Sequence, residues 1–103
     1  MLIVTTDNIP GKNIEVLGIA RGSVVRAKHI GRDIAAGFKS IAGGEITAYT
    51  ELMYEARNIA TERMIKDAKE MKADAIICTR YETCSIMGGS SEVMSYGTAV
   101  RYI

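Results

Sequence analysis

Thr47-Ala-Tyr-Thr-Glu-Leu-Met-Tyr-Glu-Ala-Arg-Asn-Ile-Ala-Thr-Glu-Arg-Met-Ile-Lys-Asp-Ala-Lys-Glu-Met-Lys72 is the stretch that decides the architecture. Tyr49, Leu52, Met53, Ala56, Ile59, Ala60, Met64, Ala68 and Met71 recur every three or four positions, which puts them on one stripe of an α-helix. Glu51 and Glu55 come early and Lys66, Lys69 and Lys72 late, an arrangement that suits the helix dipole. At 1.5 Å per residue the segment makes a rod about 39 Å long. That is long for a chain of 103 residues, and one end is expected to reach past whatever the stripe lies on.

On the C-terminal side the pattern turns to strand. Ala75-Ile76-Ile77-Cys78 is apolar throughout, and residues 79–87 are mixed, as in a strand that is central at its start and exposed further on. Gly88-Gly89-Ser90-Ser91 reads as a tight turn into a last strand over 92–103. Alternation there puts Met94, Tyr96, Val100 and Tyr102 on one face and Val93, Ser95, Gly97, Ala99 and Arg101 on the other. On the N-terminal side, Leu2-Ile3-Val4-Thr5-Thr6 is a first strand closed by the turn formers Asp7-Asn8 and Pro10-Gly11. Residues 14–25 read as a β-hairpin turning near Gly22, with aliphatics of both parities, so both faces of the sheet are expected to be partly covered. Ile30, Ile34, Gly37, Phe38 and Ile41 mark a short helix stopped at Gly43-Gly44. The expected fold class is α+β, a two-layer sandwich of sheet and helices in one domain spanning 1–103.

Composition narrows the function. Thirteen Lys plus Arg against twelve Asp plus Glu leave a net charge of +1, too little for a general field that would draw in nucleic acid. No run reaches the roughly 20 apolar residues that span a bilayer, and the opening residues are not a secretory signal. A cytoplasmic protein without nucleic-acid or membrane partners is expected. Two cysteines six positions apart make no disulfide framework. One or two helices cover one face of the sheet, so the other face keeps aliphatics that a second copy of the chain can hide. Homo-oligomerisation is therefore expected, the alternative being a monomer whose sheet closes on itself.

Chemistry-bearing residues are few. Arg21, Arg26, Lys28 and Arg32 lie close together with no acid among them, and a helix begins soon after. Arg26, Lys28 and Arg32 are the candidate anion-binding residues, against the plainer reading of a solvated strand edge or ion pairs with Glu45 or Asp33. Cys78, Cys84, His29 and the methionines are the soft donors. His29 and Cys84 are the candidate metal ligands, while Cys78, Met53, Met64 and Met71 read as core. On an unbroken strand the two sulfurs would stand about 20 Å apart, so an ion shared between them would need a bulge, a bend or ligands from several subunits. No catalytic residue is assigned: Ser90 and Ser91 lack a GxSxG setting, and neither Gly-rich segment is a phosphate loop.

Ala20-Arg-Gly-Ser-Val-Val-Arg-Ala-Lys-His-Ile-Gly-Arg-Asp, Gly43-Gly44-Glu45, Tyr49-Thr50-Glu51-Leu52, Ala56-Arg57, Ala73-Asp74-Ala75-Ile76 and Tyr96-Gly97-Thr98-Ala99-Val100 together resemble the YbjQ-like family, almost end to end. The resemblance implies a dodecin-like βαββ core with additional short strands and one long helix, assembled as a homo-pentameric ring. The family label, "putative heavy-metal-binding domain", implies a heavy-metal ion as the cofactor. The expectation is a non-enzymatic, ring-forming binding protein whose partners are itself and a heavy-metal ion or small anionic ligand. The alternative is a small enzyme with its site at the subunit boundary, where Arg26, Lys28 or His29 meets Glu or Tyr of a neighbouring copy.

Overall fold

A computed structural model of the chain describes residues 1–26, 47–86 and 89–103. Four strands and one helix follow in the order β1 (Leu2–Ile3), β2 (Ile14–Arg26), α1 (Thr47–Glu70), β3 (Ala75–Ile86) and β4 (Ser90–Tyr102). They form one sheet in the order β1-β3-β4-β2, in which β1 runs parallel to β3 and the remaining pairs are antiparallel. The helix lies on one face, so the chain is α+β, and the three long strands with α1 follow a β-α-β-β order. The helix expected over 30–41, its Gly43-Gly44 stop, and Lys28, His29, Arg32, Met87 and Gly88 lie outside the described residues.

The stripe seen in the sequence is the face that α1 buries. Ala56, Ala60, Met64 and Ala68 are fully buried against Ala20, Val24, Ile76, Val93, Ser95 and Ala99 of the sheet. Four buried positions spaced by four, three of them alanine, let the helix backbone come down close to the strands. The Ser95 hydroxyl, buried in this layer, donates to the Met64 sulfur at 3.2 Å. The helix ends at Glu70, and the turn that follows is closed at Lys72, whose φ is 64°, with the Ala73 and Lys72 amides bonding back to the Ala68 and Lys69 carbonyls.

Residues 14–25 are not a hairpin. β2 is one strand of 13 residues, paired along its whole length with β4, and Gly22 stands opposite Ser95 in mid-strand. A Cβ at Gly22 would lie 2.3 Å from the Met64 nitrogen, 2.4 Å from the Ala60 oxygen and 2.7 Å from the Arg63 carbonyl carbon. Glycine is required there because the helix backbone passes over it, and no turn is involved. The polar neighbours that suggested a turn serve the same contact from outside. β2 is an edge strand, and two helix side chains satisfy its outward backbone groups. The Arg21 amide donates to Asp67 Oδ2 at 3.0 Å, and Arg63 Nη1 donates to the Ser23 carbonyl at 2.6 Å.

The last two strands form the expected hairpin, with the expected faces, and β4 starts at Ser90, slightly earlier than the sequence suggested. The pairing of β3 slips by one residue between Ile77 and Arg80, where Cys78 takes a φ of 53°. The bulge is held by the N-terminal segment, since the Cys78 amide donates to the Thr6 carbonyl and the Thr79 amide to the Val4 carbonyl. That segment also brings Val4 and Ile9 onto the sheet face opposite α1, over Ala75, Ile77, Val100, Ile14 and Tyr102. Both faces are therefore covered at one end of the sheet, as the mixed parity of the strands indicated. Towards the other end, no described segment covers the face opposite α1.

Gly22→Ala tests the helix contact. Its methyl group would meet backbone atoms that cannot turn aside, so the variant is expected to lose about 2 kcal/mol or more of unfolding free energy. Urea denaturation followed by far-UV circular dichroism reads the loss as a lower midpoint at unchanged slope, and an unchanged midpoint would mean that α1 sits farther from β2.

Candidate functional site

The sheet face opposite α1 carries the groups most able to do chemistry. Register places them in rows across β2, β4 and β3: Arg21, Tyr96 and Arg80; then Ser23, Met94 and Glu82; then Val25, Glu92 and Cys84. Polar side chains in these rows bond to one another. The Tyr96 hydroxyl donates to Glu82 Oε1 at 2.9 Å, and the Cys84 thiol lies 3.7 Å from Glu92 Oε1. Arg80 leaves the row to donate to the carbonyls of Thr79 at 2.9 Å and Thr5 at 3.3 Å, bracing the bulge.

The two cysteines have different surroundings. Cys78 is half-buried with Val4, Ile9, Ile14 and Tyr102, consistent with a packing role, whereas Cys84 is exposed. The strand between them is bulged, yet the Arg80 and Glu82 rows still separate them on the same face. Among the described residues no three His, Cys, Asp or Glu side chains come together. Cys84 and Glu92 offer one soft and one hard donor, short of what a metal ion needs. The described part of one chain does not fit a metal ion by itself. Met64 is fully buried, and Met53 and Met71 are half-buried against the core, so their stripe spacing reflects packing.

The basic run is divided by the fold. Arg26 turns to the helix side, where its Nη2 lies 3.3 Å from Glu55 Oε1, and its buried Nε and Nη2 make no hydrogen bond. Glu45 and Asp33, the acids that sequence proximity suggested, lie outside the described residues. So do Lys28, Arg32 and His29, and with them the expected anion site at Arg26, Lys28 and Arg32. Arg21 goes elsewhere. With Arg63, Lys66, Asp67 and Glu70 it lines a shallow depression of about 350 Å³ between the edge of β2 and α1. Sequence reading missed this grouping, because Arg63 and Lys66 sit in a helix whose polar side has the composition of any solvated face. Their spacing of three, one helical turn, was the available signal.

Among the described residues only Tyr96 shows a titration shift with a clear cause. Its hydrogen bond to Glu82 raises its pKa above 10.0; desolvation and the Glu82 charge act in the same direction, and Arg80 opposes them. A raised value favours the protonated phenol in the folded state. The stability this adds is complete below the unfolded tyrosine value and is lost as pH rises through the folded one. Glu82→Gln is therefore expected to bring the Tyr96 midpoint back towards the ordinary tyrosine range, as read by NMR of the ring carbon bearing the hydroxyl. An unmoved midpoint would mean that Glu82 does not accept this proton.

No helix among the described residues is long and apolar enough to cross a membrane. A family model described as "Putative heavy-metal-binding" matches residues 1–103. A UPF0145 protein of Thermotoga maritima is 55% identical over 102 residues, covering 98% of this chain and 96% of its own. One from Vibrio parahaemolyticus is 56% identical over 104 residues, covering 100% of this chain and 99% of its own. One from Alkaliphilus metalliredigens is 50% identical over 103 residues, with full coverage of both. The fold is similar to the crystal structure of a protein of unknown function in the DUF74 family from Pediococcus pentosaceus. There the TM-score is 0.71 at 17% identity, over 100% of this chain and 98% of that one. None of these names states a reaction. A match along the full length, together with relatives above half identity, makes this chain a member of the YbjQ family, whose similar curated members are called UPF0145 proteins.

Proposed function

We propose that this protein works as a homo-oligomeric binding module and not as an enzyme: a ring of identical chains, five by the family resemblance, that holds a soft metal ion or a small anion where chains meet. The observation that carries the reading is the apolar surface left exposed on the edge strand β2.

The exposed side chains are of the kind an interface hides. Val16, Ile19 and Val25 are 66%, 62% and 56% exposed, all on the edge strand β2 and all facing away from α1. Apolar residues spaced along a sheet edge invite another copy of the chain. Metal binding would follow from assembly. One chain offers Cys84 beside Glu92, and repetition of that pair about a symmetry axis multiplies the thiolates a heavy metal prefers.

Native mass spectrometry of untagged protein, with and without cadmium, tests the reading. The expected spectrum shows a multiple of the 11.2 kDa chain mass, retaining cadmium in the wild type and losing it in Cys84→Ser. Ile19→Glu, which places a charge in the apolar row, is expected to shift the population to single chains. Single chains of the wild type at micromolar concentration would count against the proposal.

A further inference from the structure

The depression beside the β2 edge has an order that a solvated face does not need. Three cations, Arg21, Arg63 and Lys66, are gathered from a strand and a helix although the whole chain carries a net charge of only +1. Two of its residues are held in place by the edge itself. Arg63 is anchored by donating Nη1 to the Ser23 carbonyl, and Asp67 by accepting the Arg21 amide. One of the two acids in the depression therefore has an oxygen already engaged, while the Arg21 guanidinium and the Lys66 ammonium have no ion-pair partner among the described residues. A second hollow of about 310 Å³ adjoins the first, sharing Arg21 and Arg63 and adding Gly22, Ser23 and Met94. The two hollows meet at Arg21 and Arg63 on the β2 edge, the second lying towards the sheet face opposite α1, where Ser23 and Met94 stand.

From this geometry we infer that the depression between the β2 edge and α1 is a binding site for a small oxyanion ligand, with its phosphate or carboxylate held by Arg63 and Lys66 from the helix and by Arg21 at the strand edge. The inference deepens the binding-module reading and rests on it. An anchored guanidinium keeps its remaining N–H groups aimed, which reduces the entropy lost on binding, and guanidinium groups match the oxygen spacing of phosphate and carboxylate. Glu70, which also lines the depression, can accept from a hydroxyl or amine of the ligand and repels a second anionic group. The depression therefore favours a ligand with one concentrated anionic end.

Isothermal titration of the full chain with inorganic pyrophosphate and, separately, with succinate tests the site and distinguishes phosphate from carboxylate. Saturable binding of either probe at one site per chain is expected. Arg21→Gln and Lys66→Gln should each weaken it about tenfold, the order of one charge-assisted hydrogen bond. Lys12→Gln removes the same charge at the opposite end of β2, where Lys12 sits over the Tyr102 ring, and should leave the affinity unchanged. No saturable binding of either probe, or equal weakening by Lys12→Gln, would overturn the site. The mass of each protein is measured in the same samples: absence of binding by an intact wild-type oligomer sinks the site alone, whereas single chains in the wild type sink the module reading.

Discussion

The close approach of α1 to β2 over Gly22 is the contact on which the rest of the structure depends. A helix backbone can come within van der Waals reach of a strand only if both sides lack bulk at the crossing. Gly22 on the strand and Ala56, Ala60 and Ala68 on the helix provide that, with Met64 filling the space between. Once the helix is seated so low, Asp67 and Arg63 reach round the edge of β2 and satisfy its outward amide and carbonyl. Burial of a small-residue stripe and protection of an edge strand thus have one cause. The same seating brings Arg63 and Lys66 beside Arg21, so a feature of packing also creates the depression.

Because α1 covers only one face, the other face has to be covered by something else. The N-terminal segment does this at one end, with Val4 and Ile9 laid over Ala75, Ile77 and Val100. Beyond the bulge at Cys78 that cover stops, and the face continues as Arg80, Glu82 and Cys84 beside Tyr96, Met94 and Glu92. The polar side chains pair with their neighbours, whereas Val16, Ile19 and Val25 have no such recourse. An edge strand that exposes three large apolar side chains is the surface on which the proposed association rests.

Much of the fold was legible in the sequence, and the failures have physical causes. The period of Ala56, Ala60, Met64 and Ala68 identified the helix, and alternation from Val93 to Tyr102 identified both faces of the last strand. Gly22 misled because glycine signals two different things, a backbone free to turn and a side chain of no volume, and only the position of the helix shows which applies. The bulge was hidden because Cys78 enters a left-handed conformation without being glycine, under hydrogen bonds from a segment more than seventy residues earlier. Cys84 was correctly placed on the exposed half of its strand, and Met64 in the core. The depression could not be foreseen, since Arg21 is distant in sequence from Arg63 and Lys66, and long-range proximity leaves no local pattern.

The claim that identical chains cover one another's exposed apolar edge is tested most directly by sedimentation velocity across a wide dilution series, with the thermal melt followed on the same samples. The account predicts a single species several times the chain mass, whose melting temperature falls as dilution dissociates it. A monodisperse single chain with a cooperative, concentration-independent melt would contradict it.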